Sequence, residues 1–241
     1  MGRSNKCFTI AAMVRTRILL SALLLPLTAP AGELKGTVTL TSDYIYRGLS
    51  LSDGNPALQA GVDYALESGL FAGAWGSTID LDGAAGDPDA ELDLYLGYHV
   101  APRPSLELAL TLMRRTYPGQ SNAYGYNYDY TEALASATLF EHYTLEFGYA
   151  DDLYGTDEAG RHWELRGDWM QRSAWVLGAG LGYNDLGALD TSNYWYWDLG
   201  ATARFAWLTV DLRWYDSESL DGYFAPLAAG SKLVLSLSSG F

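Results

Sequence analysis

Charged side chains recur at alternate positions in several segments of the 241-residue chain. Clear examples are Glu91 with Asp93 and Asp211 with Arg213. Side chains two residues apart on a β-strand point to the same side. Carboxylates and guanidinium groups gathered on one side can attract ions from water or pair with one another. The candidate residues of this kind are Arg47, Asp63, Glu91, Asp93, Glu107, Arg115, Glu146, Glu164, Arg166, Asp168, Asp198, Asp211 and Arg213.

Covalent catalysis is not predicted from the nucleophiles and bases in the chain. There are three histidines, and a Ser–His mechanism would need one of them beside a serine and an orienting group. His142 falls in a short turn, whereas His99 and His162 share the side of the charged residues by parity. No G-x-S-x-G turn occurs in the sequence. We therefore expect that the protein is not an enzyme and that it binds no cofactor.

Two loops contain clustered carboxylates that could ligate a divalent cation, because hard cations take oxygen ligands. The spacing does not fit the EF-hand pattern, so a solvated acidic surface is the favoured interpretation. No metal site is predicted. The loop carboxylates are Asp80, Asp82, Asp87, Asp89, Asp151, Asp152, Asp157 and Glu158.

Apolar and polar residues alternate with period two along most of the chain, a pattern that is typical of β-strands with two different faces. In one run, for example, Leu106 and Leu108 flank Glu107. Each run has about ten residues, the length of a strand that crosses a membrane at a tilt. The facing is ambiguous in two runs rich in Ala and Gly, 70–79 and 130–139. The twelve predicted strands are 34–47, 58–67, 70–79, 91–100, 105–115, 130–139, 143–152, 161–170, 174–184, 194–203, 206–215 and 231–241.

The connections between these strands are alternately short and long, as in outer-membrane barrels. We therefore predict an all-β fold, a transmembrane antiparallel up-and-down β-barrel of about 12 strands. The alternative is a soluble sandwich with its apolar faces inside, but twelve such faces would need one very large shared core. The predicted long connections are 48–55, 80–90, 116–129, 152–160, 185–193 and 216–229.

Aromatic residues cluster near the strand ends on the apolar face, where a membrane barrel carries two girdles at the headgroup level. One predicted set lies near the long loops and one near the short turns. The first set is Tyr44, Tyr46, Trp163, Tyr183, Trp195, Trp197 and Trp214, and the second is Tyr98, Tyr143, Trp169, Trp175 and Phe241.

The two ends of the chain suggest export and membrane insertion. Two arginines precede a short apolar run, and Ala29-Pro30-Ala31 follows, so residues 1–31 are predicted to be a signal peptide cleavable after Ala31. Met13 is an alternative start. Cleavage would remove four basic residues and the single cysteine, Cys7, which takes the formal net charge from −14 to −18. Such acidity argues against nucleic acid as a partner. Residues 32–241 are the predicted barrel, and its final strand ends in Phe241 and resembles the signal for the barrel-insertion machinery.

The beginning of the predicted barrel also resembles a known family. The segments SDYIYRGLS (42–50), PALQAGVDY (56–64) and GLFAGAWGS (69–77) are similar to motifs of the TorF-type porin family of proteobacterial outer-membrane proteins. The likeness covers roughly the first 45 residues after the predicted cleavage site. It implies an outer-membrane protein that forms a pore, in contact with outer-membrane lipid and lipopolysaccharide.

The predicted function is a porin for passive diffusion of small hydrophilic solutes or ions. Carboxylates outnumber basic residues on the polar face when Lys35 and Lys232 are included, which favours cations. Equally, these charges could pair across strands and block the lumen. A non-conducting adhesin or structural barrel and, less favoured, a lipid-modifying enzyme are the alternatives. Arg47 is the clearest candidate for a residue at the pore mouth, and a strut paired with a carboxylate such as Asp43 is the alternative. The tyrosine-rich loop 117–130 is expected to be an exposed surface loop, and a constriction folded into the lumen is the less favoured alternative.

Overall fold

The computed structural model describes residues 32–81, 88–120, 128–171, 175–187, 193–218 and 229–241. Several features predicted from the sequence lie outside these residues. They are the signal peptide 1–31, the carboxylates Asp82 and Asp87, residues 121–127 of the tyrosine-rich loop, and residues 188–192 and 219–228 of two predicted long connections. No helix in the described part of the chain is long and apolar enough to span a membrane.

The described residues form a closed barrel of twelve antiparallel strands, which confirms the predicted fold. Two further short strands, β2 and β3, form a separate ribbon, and Leu153–Gly155 is a single 3₁₀ turn. The strands are β1 (Gly32–Thr41), β2 (Ile45–Tyr46), β3 (Leu49–Ser50), β4 (Ala57–Leu66), β5 (Leu70–Thr78), β6 (Ala90–Arg103), β7 (Leu106–Thr116), β8 (Tyr130–Leu139), β9 (Tyr143–Ala150), β10 (Gly160–Gln171), β11 (Trp175–Asp185), β12 (Tyr194–Arg204), β13 (Thr209–Ser217) and β14 (Lys232–Gly240).

The ring closes between the first and last barrel strands. β1 pairs with β4 along its whole length and with β14 on its other edge, from Thr37 opposite Gly240 to Thr41 opposite Ser236. Backbone hydrogen bonds between Gly36 and Phe241 extend this pairing to the last residue. Because all twelve strands have two neighbours, the barrel has no open edge.

The exterior of the barrel is apolar, as the alternation predicts. Leu34 on β1, Leu110 on β7 and Leu233 on β14 are 64%, 65% and 69% exposed. Each of the twelve barrel strands contributes at least one large, exposed apolar side chain. The buried acids and arginines have the opposite parity and face the interior. A soluble sandwich would bury the apolar faces instead, so that alternative is excluded.

The predicted first strand, 34–47, is too long at its end. β1 ends at Thr41, and the chain then turns into the barrel. The backbone is redirected because Thr41 Oγ1 donates to the carbonyl of Asp43, 2.7 Å away. Tyr44 and Tyr46 were expected in the outer girdle, and this placement is wrong. Tyr44 is buried, and the Tyr46 hydroxyl is buried as well.

A small hydrophobic core lies inside the barrel at its long-loop end. It joins Tyr44, Leu49 and Leu51 with residues from other long connections and strand ends, such as Leu153 and Leu186. The tyrosines that begin and end the tyrosine-rich loop, Tyr117 and Tyr130, are also buried there, so these two residues are not exposed as the loop as a whole was expected to be. The described parts of several long connections therefore pack into the barrel.

Close strand packing at an interior glycine gives a first prediction. A Cβ added to Gly97 on β6 would lie 2.5 Å from the backbone carbonyl oxygen of Leu110, and the Phe71 ring already lies against this glycine. We expect Gly97→Ala to lower the free energy of unfolding by about 1–3 kcal/mol, because backbone cannot move aside cheaply.

Denaturant unfolding of the refolded barrel would measure this loss. Gly240→Ala is the matched control, because the nearest atom to its new Cβ would be 3.4 Å away. It should change stability by less than about 0.5 kcal/mol. Equal effects of the two substitutions would contradict the packing described for Gly97.

Candidate functional site

The most unusual part of the interior is the β2–β3 ribbon. Its tip, Arg47-Gly48, is a two-residue turn in which both residues have positive φ, 48° and 81°. This is the type I′ geometry that suits the twist of a hairpin, and Arg47 is an uncommon residue for it. The ribbon forms a sheet of its own and is not a strand of the barrel. Side-chain contacts rather than a backbone ladder therefore attach the tip of the ribbon to the barrel wall.

Short polar side chains make the base of the ribbon rigid. The carboxylate of Asp43 accepts hydrogen bonds from Ser50 Oγ at 2.6 Å and Ser52 Oγ at 3.0 Å. The Tyr44 backbone amide donates to Ser52 Oγ, and the Leu51 amide donates to the Tyr44 carbonyl. These bonds tie the two arms of the ribbon together below the turn.

The ribbon crosses the interior of the barrel. It leaves the wall between β1 and β4, and β9 is the strand opposite β1 in the ring. Arg47 at the tip contacts Glu132 of β8 and His162 of β10, the two strands that flank β9. The Ser217 hydroxyl of β13 donates to the Gly48 carbonyl at 2.9 Å. The ribbon thus reaches from one wall to the opposite wall near the long-loop end.

The contacts of Arg47 are short and buried. Its Nη2 lies 2.7 Å from Glu132 Oε1 and 3.3 Å from His162 Nε2, and its guanidinium lies 4.7 Å from the centre of the Tyr46 ring. Burial disfavours the charged guanidinium, but the Glu132 carboxylate and other neighbours outweigh this effect and raise the pKa of Arg47 well above its usual value. Arg47 is therefore a permanent cation inside the barrel. Arg47 faces the interior near the long-loop end, as predicted, but it lies at the tip of the ribbon and not at the end of the first barrel strand.

Arg115 on β7 organises the neighbouring part of the same cluster. Its guanidinium contacts Glu91 at 3.0 Å, Asp93 at 2.8 Å and Glu132 at 3.5 Å. The Tyr46 ring stacks on it with 4.7 Å from Cζ to the ring centre. Glu132 therefore bridges Arg115 of the wall and Arg47 of the ribbon, in a setting where charge-assisted hydrogen bonds are strong.

Tyrosines of the ribbon add to this cluster. The Tyr44 hydroxyl donates to Glu91 at 3.1 Å. Burial, followed by the Glu91 carboxylate, raises the pKa of Tyr44 well above its usual value, so the phenol remains protonated and can donate. This contact explains why Tyr44 points inward.

A second charged cluster lies in the middle of the wall formed by β10 to β13. Arg166 of β10 and Arg213 of β13 both bind Asp198 of β12, the former at 2.8 Å. Glu164 also pairs with Arg166, and Asp211 with Arg213. The cross-strand pairing that the sequence left open is therefore present.

Interior glycines allow the long side chains of this second cluster to lie flat on the wall. Gly180 stands between Arg166 and Asp198 in the strand register, and a Cβ there would lie 2.9 Å from Arg166 Nη2. A Cβ on Gly200 would lie 2.9 Å from both Cβ and Cγ of Arg213. Small residues thus keep the arginines against the wall and away from the barrel axis.

The other predicted interior charges are more scattered. Glu146 is 39% exposed and lies 3.1 Å from His162, and Glu107 lies 3.8 Å from His99 near the short-turn end. Asp63 accepts a hydrogen bond from Tyr95. Asp168 points toward Gly178 beside the second cluster. These four residues share the interior face, but only Glu146 joins the Arg47 cluster.

Sequence reasoning missed Glu132, the residue that joins the ribbon to the wall. Glu132 was in the ambiguous run 130–139, where neighbouring alanines hide the alternation. It is the only carboxylate of β8, and its parity matches the buried Tyr130. An isolated charge in an otherwise apolar and small-residue strand was the available signal. Tyr196, whose hydroxyl donates to Glu164 at 2.9 Å, also faces the interior and was not among the predicted site residues.

The predicted girdle residues other than Tyr44 and Tyr46 lie on the outer face. Trp163, Tyr183 and Trp195 follow one another across three strands, with ring centres 6.0 Å and 4.9 Å apart. Trp169 Nε1 donates to the Tyr143 hydroxyl near the short turns, 3.2 Å away. The remaining outward residues are Tyr98, Trp175, Trp197, Trp214 and Phe241.

The described residues contain no group of three His, Cys, Asp or Glu side chains placed to hold a metal ion. The contacts of His162 are to Arg47, Glu132 and Glu146, with no serine among its polar contacts in this part of the chain. The arrangement suits holding a cation inside the barrel.

The glycine arrangement gives a second prediction. In Gly200→Val the new side chain displaces Arg213 from Asp198, and we expect the free energy of unfolding to fall by about 1–3 kcal/mol. Because the contact is then already broken, Asp198→Asn should cost less in this background than in the wild type, with a coupling of roughly 0.5–3 kcal/mol.

Urea unfolding of the two single variants and the double variant would give the coupling. Ala201→Val adds volume to the next residue, which faces outward, and should show no coupling to Asp198→Asn. If the effects of Gly200→Val and Asp198→Asn are additive, the position described for the Arg213 side chain against Gly200 is contradicted.

The barrel resembles solved porin structures. A KdgM porin matches with a TM-score of 0.53 and 6% identity over 88% of this chain and 99% of that chain. A KdgM porin in complex with disordered oligogalacturonate matches with a TM-score of 0.54 and 6% identity, over 88% of this chain and 99% of that chain. A NanC porin matches with a TM-score of 0.55 and 8% identity, over 87% of this chain and 99% of that chain. At such low identity these likenesses concern the fold alone.

Among curated protein sequences, none matches this chain. Residues 28–235 match a family described as "Bacterial protein of unknown function (Gcw_chp)". The chain therefore belongs to the Gcw_chp family.

Proposed function

We propose that the protein is an outer-membrane porin that lets small hydrophilic solutes or ions diffuse passively. The observation that carries this proposal is the closed twelve-stranded barrel with exposed apolar side chains on every strand and ionisable side chains inside. In lipid, every backbone polar group needs an internal partner, and only a closed barrel satisfies this with strands. An exterior of this kind would aggregate in water.

Location in the outer membrane is supported by both ends of the chain. The predicted signal peptide 1–31 would export it, and the final strand ending in Phe241 fits recognition by the barrel-insertion machinery. Strands that span the membrane an even number of times place both termini on the same, periplasmic side. The motif likeness to TorF-type porins agrees with this assignment. Contact with lipid and lipopolysaccharide at the two aromatic levels is part of the proposal.

The charges of the interior support a weak preference for cations. The two clusters contain four guanidinium groups, and all of these pair with carboxylates. Seven carboxylates belong to the same clusters, namely Glu91, Asp93, Glu132, Glu146, Glu164, Asp198 and Asp211. An excess of carboxylates in a pore favours cations. The ribbon narrows the passage and limits it to small solutes.

A second candidate is a closed barrel that acts through its long loops as an adhesin or structural protein. The hydrophobic core around the ribbon favours it, because this core occupies the interior at the long-loop end.

One solved relative in fold is a porin in complex with oligogalacturonate. For this chain, the carboxylate excess makes such a polyanion a less suitable solute than a small cation.

Recordings from single proteins in planar bilayers give the third prediction. We expect a small conductance and a reversal potential, under a KCl gradient, on the cation-selective side. Glu146→Gln removes a partly exposed interior carboxylate and should reduce this selectivity, whereas Glu67→Gln in a short turn should leave it unchanged.

Liposome swelling with small sugars and with galacturonate would test the solute class in parallel. Absence of any current and any swelling from correctly folded protein would contradict the porin and favour the closed barrel. Anion selectivity or faster entry of galacturonate than of neutral sugars would contradict the cation preference alone.

A further inference from the structure

The geometry points to a guanidinium-binding site in the interior wall, formed by Glu132 and His162 with Glu146 behind them, which Arg47 fills from the ribbon. This inference rests on the proposed porin function and names a solute class for it: small cations that carry a guanidinium group. When Arg47 occupies the site, it fastens the ribbon across the interior. When Arg47 leaves, the site becomes available to a solute cation.

The first support is the fit of the occupant. Arg47 Nη2 makes contacts of 2.7 Å to Glu132 Oε1 and 3.3 Å to His162 Nε2, and the Tyr46 ring lies alongside the guanidinium plane at 4.7 Å from Cζ. A carboxylate, an imidazole nitrogen and an aromatic face are complementary to a planar cation with several N–H donors. The site therefore already holds a guanidinium group, supplied by the chain itself.

The second support is an unpartnered imidazole nitrogen in the same place. The His162 side chain is 2% exposed, and its Nδ1 makes no hydrogen bond although Glu132 Oε1 lies 3.3 Å away. His162 Nε2 lies near both Arg47 and Glu146 Oε1, the latter at 3.1 Å. The imidazole can accept from a guanidinium at Nε2 or donate to Glu146 from it, but not both at once. A ring flip or a change of tautomer therefore lets His162 accept a hydrogen bond from a guanidinium when the site is filled and donate one to Glu146 when it is empty.

The third support is that the occupant can leave without opening the barrel. β1 pairs with β4 directly over ten residues, so the barrel ladder is complete without the ribbon. At the tip, polar contacts dominate: Arg47 to the wall, the Ser217 hydroxyl to the Gly48 carbonyl, and Arg115 against the Tyr46 ring. The apolar contacts of the ribbon involve Tyr44, Leu49 and Leu51, with Tyr46 packed against the same core. Movement of the Arg47 side chain alone would therefore leave this core intact.

The test uses the intact chain in planar bilayers, with K⁺ as the current carrier and guanidinium chloride as the probe. Arg47→Ala should conduct more than the wild type. Millimolar guanidinium should then lower the K⁺ current of Arg47→Ala in a saturable manner, because it fills the vacated site. The wild type should show the decrease only at markedly higher guanidinium concentrations, because Arg47 competes for the same site. Tetramethylammonium, which has no N–H donors, should not reproduce the effect.

Two further variants assign the effect to the site. Adding Glu132→Gln to Arg47→Ala should weaken the guanidinium block about tenfold or more, the loss expected for one charge-assisted hydrogen bond. Arg161→Ala is the matched control, because Arg161 is an exposed arginine of β10 that pairs with Asp185 away from this site. It should behave as the wild type. If Arg47→Ala does not fold, Arg47→Lys keeps the charge with fewer donors and should show a weaker but saturable block.

A variant in which residues 43–54 are replaced by a Gly-Ser linker separates the two hypotheses. If this variant does not conduct although it folds, the porin proposal fails. If it conducts, but Arg47→Ala matches the wild type in current and in its response to guanidinium, the porin stands and the guanidinium site is overturned.

Discussion

Closure of the ring between β1 and β14 is the constraint on which the other features depend. Once the ladder from Thr37 to Thr41 is made, every strand has two partners and the alternating residues divide into an outside and an inside. The outside can then be apolar on all strands, and the inside can gather charges that would be costly in lipid. The ribbon after Thr41 is possible for the same reason, because β1 meets β4 directly and leaves the intervening residues available for the interior.

Inside the barrel, charge pairing and residue size act together. Glu132 joins an arginine of the wall to an arginine of the ribbon, while Gly180 and Gly200 let Arg166 and Arg213 lie against the wall. The Glu132 contacts hold the ribbon across the interior. The two glycines keep the Arg166 and Arg213 side chains away from the barrel axis. In the proposed porin, ions would pass beside the ribbon through a narrow passage with a surplus of carboxylates.

The barrel was predictable from sequence because period-two alternation is local and the runs are long. The ribbon was not predictable by the same rule. Tyr44 and Tyr46 continue the parity of the outward-facing β1 residues Val38 and Leu40. The turn becomes evident from tertiary hydrogen bonds, those of Asp43 with Thr41, Ser50 and Ser52. The partners of Arg166 and Arg47 also required the register, because Asp198 and Glu132 are 32 and 85 residues away in sequence.

The most direct test of the account is whether alternate residues of one strand face water and lipid. With Cys7 replaced by serine, single cysteines at Leu110, Thr111, Leu112 and Met113 of β7 would be exposed to a water-soluble thiol reagent in lipid vesicles. The account predicts rapid reaction at the inward positions 111 and 113 and protection at the outward positions 110 and 112. Equal reactivity at all four, or the reverse alternation, would contradict a membrane barrel with a hydrated interior.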